Sequence, residues 1–369
     1  MMRSCALLLA TQLMAAEPGI IATPSGFSPD SVQVGDLMLR SAPMAVRDRQ
    51  GWRPPRLILI SPNMRDQLPA LRQIAPDVRF LEVNSHTPLA AVADADAAID
   101  ICEPKFIQAA THLQWIQWMA AGVEYCVSQP VIQQRQPLVT NLQRAAASSM
   151  AEHVIGMMLV LSRHLDYYYR LQQHHRWAPE NAPQIVDLKD QTILIVGLGG
   201  IGTEVARRAA AFGMHVIATR ASSAGAPDYV TYVGTPEELP RLVAQADFVV
   251  NCTPLTPQTQ GLFDDALFGL MKPTAYFLNV GRGGSVVAAD LVRAIKNRRI
   301  AGAGLDVTDP EPLPESSELW RLPNVLITPH ISGESAITVK LRNAVLMENL
   351  RRFVAGDPMV SVVDLQRGY

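Results

Sequence analysis

Short apolar runs alternate with stretches of helical spacing along most of this chain. The first clear strand pattern is Leu57–Ile60, just after Pro54 and Pro55. Phe80–Val83, the alanine-rich 90–99 region and Leu113–Met119 continue the rhythm and predict a small βα-repeat domain. Ser149 followed by Glu152 reads as a capping box. Val154, Met157, Met158 and Leu161 then supply the apolar stripe of a helix crossing into a second domain. From Thr192 onward, apolar runs at Ile193–Val196, Val216–Ala218, Phe248–Val250, Ala275–Leu278, Gly304–Val307 and Val325–Thr328 are separated by helical stretches. Buried runs in that alternation predict a parallel, doubly wound sheet. A last helix near 334–354 and the tail are expected to return to the first domain. The expected class is α/β, with two doubly wound parallel sheets and a cleft between them. Residues 1–55 form an extension, rich in Pro, Gly and Ser from 17 onward; 56–148 together with 333–369 form the first domain and 149–332 the second.

Composition narrows the partners more than the fold. Of 369 residues, 48% are hydrophobic and 18% charged, enough apolar material for two large cores. Lys and Arg total 32 against 34 for Asp and Glu, a net charge of -2, which argues against a nucleic-acid partner or an anionic membrane surface. Cys5, Cys102, Cys126 and Cys252 are far apart in sequence and form no C-x-x-C pair. That spacing points to neither a metal site nor a disulfide framework, so a reducing compartment, the cytoplasm, is expected. Met1–Ala16 loosely has the shape of a secretory signal, and export is the alternative it raises. No later stretch approaches the ~20 apolar residues of a membrane span.

The strongest chemical signal is Gly197-Leu198-Gly199-Gly200-Ile201-Gly202, set between an apolar strand and a helical stretch. Gly197 makes the tight turn, Gly199 lets backbone approach a pyrophosphate, and Gly202 lets helix and strand pack closely. The helix N-terminus then offers N–H groups and partial positive charge to phosphates. An acidic residue about 20 positions past the first glycine would hold an adenosine ribose 2′-hydroxyl. Here the second strand instead ends at Arg220, with Ser222 and Ser223 beyond it. A guanidinium pairs with a 2′-phosphate and stacks on adenine, so NADP is expected over NAD, with NAD possible.

Three further motifs follow at expected carboxyl ends of strands, where ligands bind in open α/β sheets. Arg282 stands between glycines after a buried run, placed to bind a carboxylate and polarise a carbonyl. Asp306 ends one strand, with Asp309-Pro310-Glu311-Pro312 after it, and His330 follows Pro329 at the end of another.

Together with Trp115-Ile116-Gln117, Ala121-Gly122-Val123, Ala151-Glu152-His153 and Thr253-Pro254-Leu255-Thr256, these motifs resemble the D-isomer-specific 2-hydroxyacid dehydrogenases over roughly residues 57–355. The resemblance implies two Rossmann-like domains, an outer one binding substrate and an inner one binding the dinucleotide. It makes His330 the proton donor in reduction, Glu311 the carboxylate that hydrogen-bonds and orients it, and Arg282 the partner of the substrate carboxylate and carbonyl. Asp309 is the competitor of Glu311 for the acidic role. The resemblance further implies that Ala121, Gly122 and Val123 clamp the carboxylate from the other domain. Thr253, Pro254, Thr259, Val280, Gly281, Asp306 and Gly333 would join the glycine loop, Arg282 and His330 around the cofactor, with Asp306 near the nicotinamide. No metal is called for. His153 is expected to make an interdomain hydrogen bond. The implied substrate is a small 2-oxo or 2-hydroxy acid, glyoxylate or hydroxypyruvate first, and the implied assembly a homodimer. A dinucleotide-sensing corepressor or a catalytically silent binding protein would share this fold.

Overall fold

The computed structural model describes residues 37, 39, 41–178, 184–222 and 225–368. The expectations for Met1–Ala16 and for Ser223 lie outside them.

Two parallel sheets organise the chain. The first half runs β1 (Leu57–Ile60), α1 (Leu68–Ile74), β2 (Arg79–Glu82), β3 (Ala97–Ile99), α2 (Pro104–Ala109), β4 (Trp115–Gln117), α3 (Glu124–Val127), α4 (Pro130–Arg135) and β5 (Leu138–Thr140). Its five strands pair in the order β2-β1-β3-β4-β5. Four of the five lie with every residue buried, so they read as continuous apolar runs without alternation. The alanine-rich 90–99 region divides into a short 3-10 turn at Leu89–Val92 and β3.

α5 (Ala147–Ser162) and α6 (Leu165–Gln173) lead into the second half. There follow β6 (Thr192–Val196), α7 (Gly200–Ala211), β7 (His215–Thr219), β8 (Tyr232–Gly234), α8 (Leu239–Val243), β9 (Phe248–Asn251), α9 (Asp265–Leu270), β10 (Tyr276–Asn279), α10 (Ala288–Lys296), β11 (Gly302–Leu305) and β12 (Val325–Ile327). The seven strands pair in parallel in the order β12-β11-β10-β9-β6-β7-β8. The order reverses between β6 and β9, and the crevice above that reversal is where open α/β sheets bind ligands. The short β8, with one exposed and one half-buried residue, carries too weak an apolar signal to read from sequence.

α11 (Ala336–Ala355) returns to the first sheet, burying Leu346, Leu350 and Phe353 against Ile58, Ile60 and Trp115. A buried polar cluster fixes its register: Asn349 Nδ2 donates to Gln117 Oε1 (2.9 Å), which also accepts from Thr140 Oγ1 (2.8 Å).

Two expectations are corrected here. Ser149 and Glu152 are not a capping box, because α5 already begins at Ala147 with Ala146 as its N-cap. Ser149 sits inside the helix and its hydroxyl meets Ser335 Oγ (2.9 Å) and Thr338 Oγ1 (3.1 Å) at the start of α11. Glu152 instead reaches Arg208 of α7 (3.2 Å). The cysteines also depart from expectation, since Cys102 and Cys126 form a disulfide with Cα atoms 5.3 Å apart. Cys102 follows β3, while Cys126 lies on α3 after the adjacent β4, so parallel pairing of the two strands brings together residues that are distant in sequence. Disulfides persist in oxidising surroundings, so the cysteines give no support to a reducing compartment. No helix among the described residues is long and apolar enough to cross a membrane.

Candidate active site

The glycine loop leaves β6 at the switch point. Gly197 has φ +96, a left-handed conformation that side chains rarely adopt, and a Cβ there would stand 3.1 Å from the Cys252 backbone. A Cβ on Gly202 would stand 2.3 Å from the Gly197 carbonyl oxygen, so only glycine lets α7 sit this close to the turn. Leu198 is buried in the core beneath the loop. The first N–H groups of α7, at Gly200, Ile201 and Gly202, have no acceptor among the described residues. A Cβ on Gly199 would meet open space, whereas Gly200 packs against the Arg144 side chain, which the sequence reading passed over. An open glycine face beside unpaired N–H groups at the head of a three-turn helix fits a dinucleotide pyrophosphate.

Arg220 follows β7 on the rim of this loop. Its guanidinium donates to the Leu198 carbonyl from Nε (2.8 Å) and from Nη2, and to the Gly225 carbonyl from Nη1 (2.9 Å). Ser222 is exposed two residues beyond it.

Across the switch point, two fully buried asparagines that the sequence reading did not assign a role knit the loops after β9 and β10 together. Asn251 Oδ1 accepts from Thr253 N–H (3.1 Å) and Thr253 Oγ1 (2.7 Å), while its Nδ2 donates to Asn279 Oδ1 (2.9 Å) and Ser285 Oγ (2.7 Å). Asn279 Oδ1 accepts from Gly281 N–H (3.1 Å), and its Nδ2 donates to the Arg282 carbonyl (3.0 Å). Thr259 Oγ1 closes the loop after β9 by donating to the Pro254 carbonyl (2.6 Å). Val280 is buried, and Gly281 lies against Thr253. Burial pushes the Cys252 thiol up to about 12, so it stays protonated at neutral pH and is no nucleophile.

Held by this network, Arg282 extends across the cleft to the first half of the chain. Its Nη1 donates to the Gly281 carbonyl (2.8 Å) and its Nε to Glu124 Oε1 (3.1 Å). A Cβ on Gly122 would fall 1.6 Å from Arg282 Nη2, so the guanidinium rests directly on that glycine. The Gly122 loop is fixed by its carbonyls: Asn141 Nδ2 donates to Ala121 O (2.7 Å) and Trp118 Nε1 to Gly122 O (2.8 Å). The N–H groups of Gly122 and Val123 have no acceptor among the described residues.

His330 stands three residues past β12 with φ +54, a strained conformation for a non-glycine residue. Asp306 imposes it. The Asp306 carbonyl accepts from His330 N–H (2.8 Å), Oδ1 from Thr328 Oγ1 (2.6 Å) and Ile331 N–H (3.0 Å), and Oδ2 from Ser332 N–H (3.0 Å). Burial opposes the charged form of Asp306, but these donors outweigh it and hold the carboxyl below its ordinary value. Its carboxylate has no exposed surface and lies beneath the His330 corner. His153 Nε2 donates to Thr328 Oγ1 (2.9 Å) within the same corner. Gly333 lies against Ala146 and Met150.

The His330 ring is half exposed, and Nδ1 donates to Glu311 Oε2 (2.9 Å). Glu311 Oε1 accepts from Thr308 N–H (2.9 Å). Both its oxygens are thus engaged, whereas the Asp309 side chain makes no such contact with the ring among the described residues. Nδ1 is occupied, which leaves Nε2 as the nitrogen able to exchange a proton with a ligand. Arg282 makes no direct bond to this pair, yet the two are contiguous: Gly283 packs onto the Thr308 and Asp309 backbone. The Arg282 turn and the loop carrying Glu311, the partner of His330, thus pack against each other. Among the described residues, no cluster of His, Cys, Asp or Glu could hold a metal ion.

Comparison with known proteins bears on this arrangement. The family described as D-isomer specific 2-hydroxyacid dehydrogenase, NAD binding domain, matches residues 155–332. Glyoxylate/hydroxypyruvate reductase A of Escherichia fergusonii is 30% identical over 307 residues, covering 81% of this chain and 95% of that protein. Among solved structures, a D-isomer specific 2-hydroxyacid dehydrogenase from Xanthobacter autotrophicus Py2, in complex with NADPH and MES, superposes with TM-score 0.75 at 27% identity. It covers 86% of this chain and 100% of its own. The NADPH-dependent glyoxylate/hydroxypyruvate reductase of Sinorhizobium meliloti, solved with NADP and sulfate, gives TM-score 0.72 at 28% identity over 85% and 100% of the two chains.

Proposed function

Because the chain belongs to the D-isomer specific 2-hydroxyacid dehydrogenase family, we propose that it reduces a small 2-oxo acid, glyoxylate or hydroxypyruvate first, with NADPH preferred over NADH. The observation that carries this reading is the His330–Glu311 hydrogen bond on loops that adjoin the Arg282 turn, with Arg282 resting on Gly122 beside N–H groups of Gly122 and Val123 that have no acceptor among the described residues.

The glycine loop and the head of α7 would hold the pyrophosphate, Arg220 and Ser222 the 2′-phosphate, and the loops at Thr253–Thr259 and Val280–Gly281 would line the path toward the cleft. When bound, the reduced nicotinamide supplies the hydride. The residues of the chain do the rest. Arg282 and the Gly122–Val123 backbone hold the substrate carboxylate from two sides, fixing which face of the carbonyl is presented. Charge develops on the carbonyl oxygen, and the Arg282 guanidinium stabilises it there. His330 Nε2 delivers a proton to that oxygen, while Glu311 on Nδ1 keeps the ring aligned. The apolar surface exposed on α6, at Leu165 and Tyr169, supports a homodimer built through the second half.

The test is a panel of 2-oxo acids followed by the loss of NADPH absorbance, repeated with NADH. His330→Ala should lower kcat by ~10³-fold, and Arg220→Asp should move cofactor preference toward NADH. Absence of turnover with every acid would overturn the activity. Full activity in His330→Ala would overturn the proton-donor role, and an unchanged cofactor ratio in Arg220→Asp the 2′-phosphate role.

A further inference from the structure

Glu124 is a charged group at the substrate opening to which the reading above gives no task. It begins α3, one residue after Val123, whose N–H has no acceptor among the described residues. Its Oε1 accepts from Arg282 Nε at 3.1 Å, and a Cβ on Gly122 would lie 2.7 Å from its Oε2. The carboxylate therefore sits against the same glycine and the same guanidinium that are assigned to the substrate carboxylate. Both side chains keep about a third of their surface exposed, Arg282 at 29% and Glu124 at 31%, so the pair is open to an incoming ligand. The ion pair spans the two halves of the chain, since Glu124 follows β4 of the first sheet and Arg282 follows β10 of the second. Arg282 is left with Nη2 and the second hydrogen of Nη1 for a ligand, because Nε is held by Glu124 and Nη1 already donates to Gly281.

We propose that Glu124 is a specificity-determining residue, which admits 2-oxo acids carrying a single negative charge and rejects those with a second carboxylate. The inference rests on the 2-oxo acid reading of this site. Arg282 brings one positive charge and Glu124 cancels it, so the opening presents no surplus cation before a ligand arrives. A monoanion gains hydrogen bonds from Nη2, Nη1 and the Gly122–Val123 N–H groups against one nearby carboxylate. A dianion of similar size meets the same donors and places a second negative charge within a few ångströms of Glu124, whose own charge already offsets that of Arg282. Two like charges roughly 5 Å apart, at a dielectric between those of a protein surface and bulk water, repel enough to cost about tenfold in affinity. Glu124 also positions Arg282, but a neutral acceptor would do that equally well, and this separates the two contributions. Glu124→Gln keeps an acceptor for Nε and removes the charge, Glu124→Asp keeps the charge on a shorter stem, and Glu124→Ala removes both.

The experiment measures binding of oxamate, a monoanion, and oxalate, a dianion of nearly the same shape, to the NADP(H)-loaded enzyme by isothermal titration. Wild type, Glu124→Gln and Glu124→Asp are compared, alongside kcat/KM for a monocarboxylic and a dicarboxylic 2-oxo acid. The expected result is that wild type favours oxamate and that Glu124→Gln moves the oxalate-to-oxamate affinity ratio toward oxalate by about tenfold. Glu124→Asp should stay close to wild type, and the dicarboxylate-to-monocarboxylate kcat/KM ratio should rise in parallel in Glu124→Gln. A ratio that changes less than twofold in Glu124→Gln overturns the proposal, as does an equal loss of both ligands, which is the mark of a purely positioning role. Because the titration needs no turnover, an inactive wild type that still shows the shifted ratio would overturn the reductase reading and leave the charge selection standing.

Discussion

Asp306 carries no exposed carboxylate surface, yet it fixes the side chain on which the proposed chemistry depends. It replaces the hydrogen bonds that a left-handed His330 cannot make along a regular strand. Its carboxyl is held low in the folded protein, so it contributes stability above the ordinary carboxylate range, and that contribution is lost as pH falls through the folded value. Asp306→Asn should accordingly lower the melting temperature at neutral pH by roughly 4–8 °C, the loss expected when buried donors lose a charged acceptor. The gap from wild type should close as pH is brought below about 4. A gap that stays constant from neutral to acid pH, followed by scanning calorimetry, would contradict this account. Residues of this kind are hard to read from sequence. The motif around Asp306 was visible, but an acidic residue at a strand end could serve a ligand or a loop, and only the geometry separates the two.

At the scale of elements, the strands that carry the site were legible because a buried parallel strand is an unbroken apolar run. Ile193–Val196, Phe248–Val250 and Leu57–Ile60 need no partner to be recognised. The glycine loop was legible for a related reason, since its spacing records steric limits such as the 2.3 Å approach at Gly202. Less was visible where polar residues act in pairs. Asn251 and Asn279 each end an apolar run, and nothing in their sequence context shows that their amides meet 2.9 Å apart. Glu124 was passed over because its partner lies far away in sequence. The start of α5 was misplaced because Ser149 looks like a cap, whereas its hydroxyl serves a contact with α11 that sequence spacing does not encode. The asparagine pair has a measurable consequence. Asn279→Ala leaves the Gly281 N–H without its acceptor, at a cost of about 1–3 kcal/mol, while the Arg282 carbonyl keeps only the Ser285 hydroxyl (2.6 Å) and N–H as donors. The expected effect is a KM for the 2-oxo acid at least about tenfold higher, with the KM for NADPH moving less. An unchanged acid KM would show that the Arg282 turn holds itself.

Over the whole molecule, the two halves are joined by contacts that no single motif announces. Within the first half the Cys102–Cys126 bond is equally hidden, since the cysteines become neighbours only once β3 and β4 have paired. It ties α3, and with it the segment carrying Val123 and Glu124, to the turn after β3. Unfolding the protein with and without a reductant, then titrating thiols, should reveal two further thiols in the reduced sample. Equal counts would remove the bond. The return of α11 to the first sheet has a mechanical consequence. The backbone passes between the halves twice, through the heads of α5 and α11, and these passages touch where Ser149 meets Ser335 and Gly333 meets Ala146. Two tethers side by side act like the pins of a door: they permit a swing about one line and resist sliding or separation. A protease nick in either passage would leave the other to keep both leaves on the frame.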